Sequence, residues 1–98
     1  MPDYPVIHGV KFCPQWRETF GRLPKEIQVE AETVIPGMIG KIVRAGSEFT
    51  KLQGYADVPI WTVPVSKDGR YIASFSMMDT CAFLRRIGIF QIIEDDPG

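Results

Sequence analysis

The chain has 98 residues, 45% hydrophobic and 23% charged, with a formal net charge of −1 and a pI near 5.7. That is the length of one small domain with a thin core, and the composition excludes a wholly disordered chain. It also excludes the bulk basic excess of a dedicated nucleic-acid binder, whose affinity rests on phosphate contacts.

"YPVIHGVKFC", Tyr4 to Cys13, alternates as a strand, with Val6, His8, Val10 and Phe12 on one face. Pro14 ends it and opens a short helix in which Trp16 and Phe20 lie one turn apart, until Gly21 breaks it. Pro24 starts a second helix with Glu26 near the positive end of its dipole. Ile27, Ala31, Val34, Met38 and Ile42 share one helical face. Pro36-Gly37 interrupts that face, because the proline cannot donate and crowds the preceding turn. The expectation is a kink or break there, a short further helix, and an end at Ala45-Gly46-Ser47. "SEFTKLQGYADVP" reads as a partly extended connector punctuated by Gly54 and Pro59.

"WTVPVSKDGRYIASFSMM" is two strands around a turn. A three-residue turn, Lys67-Asp68-Gly69, sets Trp61 against Phe75, Val63 against Ala73 and Val65 against Tyr71, an entirely apolar side. A slip of one residue would send every side chain to the wrong face, so this match selects the register. Gly69 suits the left-handed position such a turn needs. The other side carries Thr62, Pro64, Ser66, Arg70, Ile72, Ser74 and Ser76 and is expected to be open. Pro64 favours an edge position or a bulge. "TCAFLRRIGIFQIIE" is a strongly apolar strand in which neither parity is clean, the mark of a central strand covered on both faces or bulged, with Gly88 the candidate bulge.

The fold class is therefore α+β, in the order β-α-α-β-β-β. Helices cover one face of a small, mostly antiparallel sheet, in one domain over residues 1–94 with an acidic tail at 95–98. The N-terminus lacks a leader's charged and apolar regions, and no apolar run reaches the roughly 18–20 residues of a membrane span. With Cys13 and Cys81 in no CxxC pair, a cytoplasmic location without a membrane is expected. His8 is the only histidine and has no ligand partner at metal spacing, so neither a metal nor a cofactor is expected. Glu26, Glu30 and Glu32 read as a solvated helix face.

Chemistry-bearing side chains are then few. Between Ile39 and Glu94, seven Lys/Arg (41, 44, 51, 67, 70, 85, 86) stand against five Asp/Glu (48, 57, 68, 79, 94), a weak +2. Arg70 falls on the polar side of the hairpin. Arg85-Arg86 interrupts the most apolar strand, where an arginine needs an anion, a carboxylate or the sheet rim. Neighbours on a regular strand point to opposite faces, so one of the pair shares Arg70's face unless a bulge intervenes.

The layout resembles the RelE/ParE toxin superfamily of toxin–antitoxin systems. "VKFCPQWRETFGRLPKEIQVEAETVI" is similar to the family's opening strand and helix pair, and "FTKLQGYADVPIWTVPVSKDGRYIASFS" to its glycine, strand aromatic and post-turn arginine. Together these span roughly Val6 to Ile93. In ribonuclease members, basic side chains on the open sheet face hold the scissile phosphate of ribosome-bound mRNA and stabilise the charge that grows as the 2′-hydroxyl attacks. The resemblance implies Arg70, Arg85 and Arg86 as catalytic cations, with Lys51, Lys67 and Tyr71 as phosphate or nucleic-acid contacts. The chain departs in having "RYIAS" where the family usually has "YRI", and no tyrosine or histidine follows Ile93 as a base. A toxin-like ribonuclease acting on ribosomal mRNA is one expectation. The alternative is a non-catalytic protein-binding module of the same fold, inhibiting a partner enzyme, pairing with an antitoxin or self-associating as a homodimer. A small-ligand domain is a third, without pocket evidence in the sequence.

Overall fold

The structure, a computed structural model, describes residues 6–43, 49–52, 60–89, 91 and 93. The expected helix end at Ala45-Gly46-Ser47, most of the connector, the strand start at Tyr4 and the tail at 95–98 lie outside them. The elements are β1 (Gly9–Phe12), α1 (Pro14–Gly21), α2 (Lys25–Gly37), β2 (Thr50–Lys51), β3 (Ile60–Pro64), β4 (Tyr71–Met78) and β5 (Cys81–Ile89). This is the expected α+β order, with β2 an added two-residue strand inside the connector. The sheet order is β1-β5-β4-β3-β2; β1 runs parallel to β5 and every other pair is antiparallel. Among the described residues no helix is long and apolar enough to cross a membrane.

The hairpin adopts the apolar register, with Trp61 opposite Phe75 and Val63 opposite Ala73. Val65 N–H donates to the Tyr71 carbonyl at 2.9 Å, and Gly69 has φ +74°, as the three-residue turn demands. Pro64 ends β3 beyond the two residues that β2 pairs, so its missing N–H deprives no described ladder partner.

Three expectations are corrected. The chain does break at Pro36-Gly37, where α2 ends, but the described residues 38–43 that follow form no further helix. Gly40 turns the chain at φ +93° and donates to the Ile7 carbonyl, and Ile42 bridges Val6. The bulge is at Arg85, not Gly88: Ser74 pairs with Arg86 while Phe75 pairs with Leu84. One extra residue on β5 then places Ala82, Leu84, Ile87 and Ile89 opposite Met77, Phe75, Ala73 and Tyr71, which explains the unclean parity. The polar hairpin side is not open either. Thr62, Ser66, Ile72, Ser74 and Ser76 are all buried. On that side Ile93 is buried and sits against Gly88, 3.5 Å from where a Cβ would stand.

The main core lies between the helices and the Ala73–Phe75 side of the sheet. Trp16, Ala31, Ile35, Val63, Ala73, Phe75, Leu84 and Ile87 are buried there, with Ile27, Val34, Trp61 and Tyr71 half-buried against them. Phe49 meets Phe75 edge-on, ring centroids 5.5 Å apart. β1 stops at Phe12, opposite Leu84, and α1 takes over along β5: Ile87 N–H donates to Thr19 Oγ1 at 3.2 Å. Gln28 Nε2 donates to the carbonyls of Phe20 and Leu23, satisfying the free end of α1 and fixing the two helices together.

Candidate functional site

Arg70 is exposed and follows a turn held by its neighbours. Ser66 Oγ–H donates to Asp68 Oδ1 at 2.6 Å, Arg70 N–H donates to the same oxygen at 3.0 Å, and Tyr71 N–H donates to Ser66 Oγ at 3.0 Å. Asp68 and Ser66 thus shape the turn, and the backbone of Arg70 takes part while its side chain stays in solvent. The Ser66 hydroxyl first, then the Arg70 N–H, holds the Asp68 carboxyl below the usual carboxylate value. A depressed folded-state pKa gives a contribution present above the unfolded value of about 3.9 and lost as pH falls through the folded one. We therefore expect an NMR titration to place the Asp68 midpoint below that of Ser66→Ala, in which the midpoint returns toward the ordinary value. Equal midpoints would remove this account of the turn.

Arg85 and Arg86 sit elsewhere. Both are half-buried, the Nε of each is buried, and each is engaged in interactions within the chain. The Arg86 backbone clasps Ser74: its N–H donates to Ser74 Oγ at 3.1 Å, and that hydroxyl donates to its carbonyl at 3.3 Å. Alternation to opposite faces requires a regular strand, and the bulge breaks it at this pair. Ser74 lies four residues along β4 from Arg70, roughly 13 Å at the usual rise of about 3.3 Å per residue. Arg70 therefore stands at the turn end of the hairpin, and the arginine pair beside the middle of β4.

The lesser candidates are also apart. Lys67 is exposed in the same turn as Arg70, so those two cations are neighbours. Lys51 is exposed on the far edge strand, opposite Trp61. Tyr71 is half-buried against the main core, on the face opposite to Ser74. His8 is exposed, and Cys13 and Cys81 are half-buried free thiols.

A different feature is better formed. A groove of about 600 Å³ runs between β1, α1 and α2, lined by Val10, Phe12, Trp16, Phe20, Ile35 and Ile39, with Arg17 and Glu32 among its walls. An aromatic row runs inward from Phe12: Phe12 and Trp16 rings are 5.5 Å apart, and Trp16 and Phe20 stack at 6.1 Å. Phe12 and Ile39 are half exposed, at 49% and 51%, although both are large and apolar. The sequence held a signal for this. Phe12, Trp16 and Phe20 recur every four residues, and so do Ala31, Ile35 and Ile39. Those are two apolar rows, and reading Trp16 and Phe20 only as one helical turn gave no sign of the gap between them.

Compared with protein-family models, curated proteins and solved structures, the chain matches none.

Proposed function

We propose that the chain is a non-catalytic protein-binding module, in the setting that its resemblance to RelE/ParE toxins implies. The observation that carries this reading is the groove: an apolar, aromatic-lined hollow with half-exposed Phe12 and Ile39 at its mouth. Soluble chains keep such patches small unless they meet another surface. The distribution of the cations supports the same reading. Arg70 and Lys67 stand at one turn and Arg85 and Arg86 along the strand, on a sheet side whose serines and isoleucines are buried.

Exposure of Arg70 beside Lys67 favours the second reading, a ribosome-dependent mRNA endoribonuclease without a metal. One experiment separates them. Wild type, Arg70→Ala, Arg70→Lys and Ile39→Glu are expressed in cells and assayed for growth inhibition, and each purified protein is added to translating ribosomes to score mRNA cleavage. We expect intact mRNA throughout, any growth effect unchanged by the Arg70 variants, and loss of that effect with Ile39→Glu. Arg70→Ala should move stability by less than about 0.5 kcal/mol, since its side chain is solvated. Cleavage by wild type that both Arg70 variants abolish would overturn the binding reading, because a lysine cannot reproduce the guanidinium's planar fork.

A further inference from the structure

We infer that the occupant of the groove is a second copy of this chain, joined through the β1 edge and the groove mouth. The inference rests on the protein-binding reading and names the partner. Its first ground is the sheet. Among the described residues β1 (Gly9–Phe12) pairs only with β5; Gly40 and Lys41 occupy the outer edge just before it, at Ile7, and leave Gly9–Phe12 as the uncovered edge. An edge strand presents every second N–H and C=O outward, a template for another strand. The groove borders this same edge strand, because Val10 and Phe12 of β1 form part of its lining. Antiparallel pairing of β1 with β1 about a two-fold axis would extend the sheet across both copies. It would also set the helices of both on the same face, so that the two groove mouths meet.

The second ground is charge. Arg17 comes from α1 and Glu32 from α2, so the two helical walls carry opposite signs. Among the described residues neither holds an ion pair. In a two-fold contact the surface must complement itself: if residue i meets j, then j meets i. A wall pair of one arginine and one glutamate satisfies that condition, with each Arg17 facing Glu32 of the other copy. The apolar requirement is met in the same way, since each copy offers a half-exposed Phe12 and Ile39 at the wall of an apolar hollow. A basic or acidic partner would leave one of the two wall charges opposed by its own sign. The small core of a 98-residue chain adds a motive, because pairing covers apolar surface that the single copy cannot bury.

Sedimentation velocity at tens of micromolar, with a melting curve for each protein, tests this. Wild type should sediment as a dimer. Ile39→Glu, at a half-exposed position outside α2, should stay folded and dissociate at least about thirtyfold more readily, the effect of removing a central anchor. Arg17→Glu and Glu32→Arg should each weaken the dimer, and the double reversal should restore it. A wild-type monomer overturns the second copy as occupant. If that monomer binds a separate protein and loses it with Ile39→Glu, the protein-binding reading survives. If it binds none, that reading falls too. A dimer indifferent to all four variants overturns the groove as the interface.

Discussion

Phe75→Ala is expected to remove about 3–5 kcal/mol of folding stability. The ring is fully buried at the middle of β4, takes Phe49 edge-on, and faces Leu84 across the ladder. Truncation leaves a hole that β3 and β5 cannot close, because their backbones are tied to β4 on both sides. Against a total of about 5–15 kcal/mol for a domain of ordinary stability, that loss puts the variant at the edge of folding. Trp61, half-buried on the neighbouring strand, should cost less when truncated although its side chain is larger. Urea denaturation followed by tryptophan emission measures both. A Phe75→Ala loss below about 1.5 kcal/mol, or a larger loss for Trp61→Ala, would displace Phe75 from the centre of the core.

Ile87→Asp is expected to abolish folding. Ile87 is 2% exposed, faces Ala73 and belongs to the apolar core, so a carboxylate there would be buried among apolar side chains. Burying an unpaired charge belongs to the few mechanisms that exceed about 4–5 kcal/mol. The variant also tests the bulge. In a regular β5, Ile87 would share a side with Phe83 and Cys81, away from Leu84. With Arg85 as the extra residue, Leu84 and Ile87 lie on one side despite being three apart. Circular dichroism on heating is the measurement. Ile87→Asp should show no cooperative transition, whereas Ile89→Asp, at a half-exposed site near the strand end, should retain one. A cooperatively melting Ile87→Asp would mean that Ile87 does not face the main core.

Several features were legible in the residues themselves, for local reasons. The α+β class follows from runs of period two and period near 3.6 in the observed order. The hairpin register follows because only a three-residue turn matches apolar residues on one side, and Gly69 supplies the left-handed turn position. The break at Pro36-Gly37 follows because proline removes a donor and crowds the helix. Each of these depends on neighbours a few residues apart, so no distant contact was needed.

The remainder was decided by contacts between distant residues. That β1 pairs parallel with β5 depends on where α1 and α2 carry the chain between them. The bulge at Arg85 arises because β5 must match β4 on both halves at once, whereas the residues taken alone pointed to Gly88. The side carrying Thr62, Ser74 and Ser76 is polar by composition yet buried, because small hydroxyls can be satisfied inside: Ser74 is held by the Arg86 backbone. The groove is a gap between three elements, and a gap has no residues of its own. By itself the sequence determined which side chains are apolar and how they repeat along each element. Only the tertiary structure decided which of those stripes closes over the core and which, at Phe12 and Ile39, is left at the surface, since closure depends on how far apart the packed backbones come to rest.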